Sequence, residues 1–218
     1  VEKLLKKVQK PARYTGGELN SVVKNKEDVK LRYAFCFPDN YEIGMSHLGM
    51  KILYSVVNER QDAWCERVFA PWEDMETLMR ENGVKDSLDE FDLVGFSLQY
   101  ELCYSNVLNM LDLGGIPVLK KDRTSLTPIV IAGGPCACNA EPMVDFVDIF
   151  LPGEGEEVTN DIVDLLIKHK ELGSTKLEFL KEAAQIKGVY VPEFYDVKYN
   201  EDGTFYYETL GGRDVYGK

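Results

Sequence analysis

The 218 residues carry 25 basic and 37 acidic side chains, a formal net charge of −12, and are 44% hydrophobic and 28% charged. This is the composition of a globular chain with one domain of about 150 residues plus attachments, and no apolar run approaches the roughly 18–20 residues of a membrane helix. The acidic balance repels a phosphate backbone and so disfavours nucleic acid as a partner.

The basic N-terminus, VEKLLKKVQKPARY, lacks the apolar core and small-residue cleavage site of a signal peptide. The expected compartment is the cytoplasm. Cys36, Cys65, Cys103, Cys136 and Cys138 are odd in number and widely spaced, which suits reduced thiols better than a disulfide framework. Only Cys136 and Cys138 lie close together, and a CxC pair with no CxxC or nearby histidine defines no metal site.

The stretch PARYTGGELNSVVKNKED reads as an irregular arm. From Leu31 onward, strand-like apolar runs alternate with helical patterns, the rhythm of βα units on a parallel sheet. LRYAFCF (Leu31 to Phe37) is the first strand, and apolar Met45, Leu48, Ile52, Leu53 and Val56 predict a helix from Met45 to Glu59. A strand near CERVFA is followed by a short helix in PWEDMETLMREN that ends before Gly83. FDLVGFSL (Phe91 to Leu98) is a strand buried on both faces, and YSNVLNMLDLGG is a helix closed by Gly114 and Gly115.

PIVIAGGP (Pro128 to Pro135) is the fourth strand. A fifth unit runs from VDIFLPGEGEE into the helix EEVTNDIVDLLIKHKEL, with acids at its start and lysines at its end. Five βα units result. Beyond them, a helix around Lys176 to Gln185 precedes a hairpin centred on Asp202 and Gly203. Tyr190, Phe194, Tyr195, Tyr199, Phe205, Tyr206 and Tyr207 make this tail a surface that needs cover.

Ligands of open parallel sheets bind outside the carboxyl ends of the strands, so the strand-following turns carry the functional expectation. They are PDNYEIGMSH, SLQYE, GGPCACN and PGEGEE, and three of the four place glycine where backbone can approach a ligand closely. No GxGxxG follows the first strand and no P-loop occurs, while the glutamates of GEGEEV oppose a pyrophosphate. Ser46 and Ser97 have only His47 and His169 as candidate bases. His169 falls at the far end of its helix, and His47 reads as a capping or packing histidine on the crevice edge, so no Ser/His centre is predicted.

The strings FPDNYEIGMSHLG, FDLVGFSLQYEL and VIAGGPCACNAEPMVDFVDIFLPGEGEE resemble the N-terminal cobalamin-binding-type domain of radical S-adenosylmethionine (radical SAM) proteins, over roughly residues 31–172. ARYTGGELN, with the first and second of these strings in longer form, resembles one group of multidomain members. The resemblance implies an α/β fold: a doubly wound, mainly parallel, five-stranded flavodoxin-like (Rossmann-like) sheet. Residues 1–30 are then an N-terminal arm, residues 31–172 the cobalamin-binding-like domain, and residues 173–218 a C-terminal helix and hairpin leading to a radical SAM domain expected beyond Lys218. No three cysteines here are spaced as the CxxxCxxC that holds an iron–sulfur cluster. S-adenosylmethionine and a [4Fe–4S] cluster are therefore expected only in that downstream domain, and this chain is not expected to be catalytic alone.

Many cobalamin domains carry DxHxxG after the first strand. The matching frame here is Asp39, Asn40, Tyr41, Glu42, Ile43, Gly44, with tyrosine where the cobalt-ligating histidine stands. A neutral phenol is a poor cobalt ligand. Cobalamin-dependent radical SAM enzymes often lack that histidine, so the domain either holds a corrinoid or substrate without ligating cobalt, or is a degenerate interaction module that caps the radical SAM barrel. The residues the resemblance places at the crevice are Asp39, Tyr41, Gly44, Ser97, Gln99, Tyr100, Gly133, Gly134, Pro135, Gly153, Glu154 and Gly155.

Overall fold

The computed structural model describes residues 2–83, 86–202 and 204–209. In chain order the elements are α1 (Glu2–Leu5), β1 (Leu31–Phe37), α2 (Tyr41–Ser46), α3 (Leu48–Asn58), β2 (Ala63–Phe69), α4 (Glu73–Asn82), β3 (Leu93–Ser97), α5 (Tyr104–Leu113), β4 (Ile129–Gly133), β5 (Ile149–Leu151), α6 (Glu156–Leu172), α7 (Lys176–Ala183), β6 (Tyr195–Tyr199) and β7 (Phe205–Thr209).

The first five strands pair in parallel in the order β2-β1-β3-β4-β5, the flavodoxin-like doubly wound arrangement whose chain direction switches between β1 and β3. All seven residues of β1 are buried. The pleat sends Leu31, Tyr33, Phe35 and Phe37 to the face covered by α3, α6 and α7, and Ala34 and Cys36 to the face covered by α5. Each fully buried Leu or Ile there contributes about 1.5–3 kcal/mol relative to an exposed one.

Two sequence expectations change. The helix expected from Met45 to Glu59 is two helices, because His47 leaves the helical conformation at ψ 120° and serves as the N-cap of α3. Asn40 caps the extra helix α2, its side chain accepting from the Ile43 amide at 3.2 Å. The fourth unit has no α-helix. β4 reaches β5 through 3₁₀ turns at Pro135–Asn139 and Glu141–Met143, each with a proline in its first two positions.

α7 is more than a spacer, since Phe179, Leu180 and Ala183 join the core beneath α6. Thr175 and Glu178 close its start as a capping box. Tyr190 then exchanges backbone hydrogen bonds with Phe150, and its ring lies 6.0 Å from that of Phe150 and 5.1 Å from that of Tyr195. Much of the described aromatic tail is thus covered by this domain itself. The hairpin β6–β7 is antiparallel as expected. Gly203 at its turn and the side chains of Tyr199, Phe205, Tyr206 and Tyr207 lie outside the described residues.

The arm straps the edge strand β2. Lys24 Nζ donates to the carbonyls of Asn58 at 3.0 Å, Arg60 at 2.5 Å and Ala63 at 2.7 Å, while the Trp64 indole donates to Val22 O at 3.0 Å. Asn58 completes the seal by pairing both backbone groups of Cys65 at 3.0 Å.

Candidate functional site

At the carboxyl ends of β1, β3, β4 and β5, beneath the N-termini of α3 and α6, lies a cavity of about 180 Å3. Its floor is strand: Tyr33 and Phe35 from β1, Gly95 and Ser97 from β3, Ile131 and Gly133 from β4, and Leu151 from β5. Gly95 leaves the space that the Tyr33 hydroxyl fills, since a Cβ there would collide with that oxygen. Gly134 adopts φ +96°, and a Cβ on it would stand 2.8 Å from Leu98 O. Glycine is required at both places by close approach, and at Gly134 by backbone conformation as well.

A hydrogen-bond chain of fixed direction joins the turn after β1 to the turn after β3. The Met50 amide donates to His47 Nδ1 at 3.2 Å, which leaves the ring proton on Nε2. His47 Nε2 then donates to Gln99 Oε1 at 3.1 Å, and Gln99 Nε2 donates to Ser97 Oγ at 2.7 Å. The Ser97 hydroxyl hydrogen remains to be given to a further acceptor. On the opposite wall α6 starts at Gly155 with no side-chain cap, so its first amides are donors as well. Glu154 and Glu156 beside them oppose an anion.

Of the twelve residues expected at the crevice, Ser97, Gln99, Gly133, Gly134, Gly153, Glu154 and Gly155 line this one cavity. The structure places the other five elsewhere. Tyr41 turns toward the N-terminal arm, where its hydroxyl donates to Glu18 Oε1 at 3.0 Å and its ring meets Phe69 edge-on at 5.3 Å. Burial, and after it the Glu18 contact, pushes its phenol pKa up. Gly44 packs on Phe69 and Phe37 as a helix contact. Tyr100 donates to Asp39 Oδ2, which raises its phenol pKa to about 12, and Pro135 opens the 3₁₀ turn after β4.

Sequence reasoning did not place Tyr33, Phe35, Gly95 and Thr159 at the site. The period of two along β1 offered a signal, because a tyrosine inside a fully buried run needs small neighbours, and Gly95 supplies one. His169 is remote, bonded to Glu182 at 3.1 Å in the last turn of α6. Among the described residues no group of three or more His, Cys, Asp or Glu is arranged to hold a metal ion.

The capping role of His47 is testable. His47→Ala should lower stability by about 1 kcal/mol in chemical denaturation, and His47→Asn, which caps equally well, should recover most of that without remaking the Gln99 bond. Equal losses in the two variants would show that the cap contributes nothing.

No curated protein and no solved structure matches the chain. A family model described as radical SAM proteins, N-terminal, matches residues 49–192. The match runs from α3 past α7 and includes the turns after β3, β4 and β5; the Asp39 to Gly44 frame lies outside it. Since the matched residues make up more than half of the chain, it belongs to the family of radical SAM protein N-terminal domains.

Proposed function

We propose that this domain is the accessory half of a radical SAM protein, and that its strand-end cavity receives a small, neutral, hydrogen-bonding ligand, such as part of the substrate, rather than a cobalt-ligated corrin. The observation that carries the reading is the cavity itself, with glycine-lined strand ends and donors converging from Ser97 and the uncapped start of α6. Its volume of about 180 Å3 is below the roughly 300–1,000 Å3 of sites for drug-sized molecules, so a whole corrinoid does not enter it.

The residues present do not fit a ligated corrin. Tyr41, in the frame position of a cobalt-binding histidine, points to Glu18 and away from the cavity, and the nearby imidazole, His47, has both ring nitrogens engaged. The same edge exposes Ile43, Leu48 and Leu102, apolar surface of the kind a neighbouring domain covers. Reaction chemistry on this reading belongs to a radical SAM domain downstream in the same polypeptide, and this domain positions a ligand for it.

Titration with hydroxocobalamin and with cobinamide separates this reading from corrinoid binding. The visible spectrum of either should stay unchanged at concentrations well above micromolar. A saturable shift of the corrin bands would overturn the proposal.

A further inference from the structure

We infer that the space beneath the N-terminal arm is a second binding site, remote from the strand-end cavity, which takes a small carboxylate with a flat apolar body through Arg67. The inference does not depend on the function proposed above.

Arg67 sits on the edge strand β2 with its side chain only 9% exposed and its guanidinium stacked 4.2 Å from the centre of the Tyr54 ring. A guanidinium has five N–H donors. Its contacts with polar side chains are a long bond from Nη2 to Ser21 Oγ at 3.4 Å and a 3.5 Å approach of the same nitrogen to Glu18 Oε2. Nε and Nη1 make no hydrogen bond among the described residues. The more deeply buried Arg123, its side chain 3% exposed, by contrast makes three carbonyl bonds at 2.8–3.1 Å and an ion pair to Asp148. Neither Nε nor Nη1 of Arg67 is sealed from solvent, so both face open space, where they can meet an acceptor that arrives from outside.

The space is there. Arg67 lines one cavity of about 380 Å3 and another of about 490 Å3, both bordered by residues of the arm. Both fall within the size range of small-molecule sites. The first is walled by the aromatic rings of Tyr41, Tyr54, Trp64 and Phe69, which suit a flat body.

Charge and geometry select the head group. The planar guanidinium fork matches a carboxylate, and the Tyr54 stack already holds it in place, so little side-chain entropy is lost on binding. Burial opposes ionisation of Glu18, but hydrogen bonds from Ser21, its own backbone and Tyr41 outweigh that and hold its pKa below the usual value. The resulting carboxylate repels a doubly charged phosphate more than a singly charged carboxylate. Arg13, also at this cavity, is committed to Glu42 at 2.9 Å and does not compete.

Trp64 lines the cavity and reports on it. Its fluorescence in the 218-residue chain should respond saturably to millimolar benzoate, with benzyl alcohol binding at least about tenfold more weakly and phenyl phosphate more weakly than benzoate. Arg67→Gln should weaken benzoate by more than about tenfold. No saturation with benzoate, or equal affinity for benzyl alcohol, would overturn the inference, and tighter binding of phenyl phosphate would overturn its ligand class. If Arg67→Gln folds and binds benzoate normally, Arg67 is not the receptor. If that variant fails to fold, the comparison of benzoate with benzyl alcohol on the wild-type chain decides alone.

Discussion

Asp148→Ala should destabilise the domain by about 3–5 kcal/mol, read as a lowered denaturant midpoint at unchanged slope. Asp148 is 3% exposed immediately before β5 and is held by three partners: the Val130 amide at 2.9 Å, Lys176 Nζ at 2.8 Å and Arg123 Nη2 at 3.3 Å. Its removal strands two buried cations and an amide. The net worth of the whole cluster is much smaller, because taking three charges out of water consumes most of what their attraction returns. Replacing Asp148, Lys176 and Arg123 together with apolar residues of similar volume should therefore restore much of the loss. A loss from Asp148→Ala below about 1 kcal/mol would show that the cations find water instead.

The second large effect belongs to the cavity. Gly134→Ala should cost about 2–4 kcal/mol, because the residue sits at φ +96° and its new Cβ would press on Leu98 O at 2.8 Å, with Leu98 N and Gln99 Nε2 at 3.1 Å. Backbone atoms cannot swing aside as a flexible side chain can. The adjacent Gly133 is the control, since its Cβ would meet Leu151 O at an ordinary 3.6 Å, and Gly133→Ala should change stability little. Gly134→Ala also pushes on Gln99, so the Gln99–Ser97 bond should be lost and the Ser97 amide shifted in a 1H–15N spectrum. Equal, small effects of the two alanines would mean that the turn after β4 is free to relax.

The sheet was legible because its signals are local. A fully buried run such as LRYAFCF marks its own ends, and the strand of the structure has the same bounds, Leu31–Phe37. The break at His47 was hidden, because apolar spacing from Met45 to Val56 continues across it while a single side chain, bonding the Met50 amide, resets the helix. Proline at the starts of two 3₁₀ turns was readable, but the length of helix it replaces was not.

At the site, the glycine-bearing turns after β4 and β5 were readable, since positive φ and close approach are properties of the residue itself. The direction of Tyr41 was not. Its hydroxyl is taken by Glu18 in an arm that the sequence marks only as irregular, and such long-range pairing leaves no periodic trace. The same arm hides Arg67, whose stack on Tyr54 and long contact with Ser21 join three separate stretches of chain.

The strand-end cavity is most directly tested by titrating fragment-sized neutral molecules into the 15N-labelled chain and following 1H–15N spectra. The account predicts that hits move the amides of Gly95, Ser97, Gly133 and Gly134 together, and that Gly134→Ala abolishes the response. A library in which no fragment perturbs those amides, or in which hits act equally on the alanine variant, would contradict it.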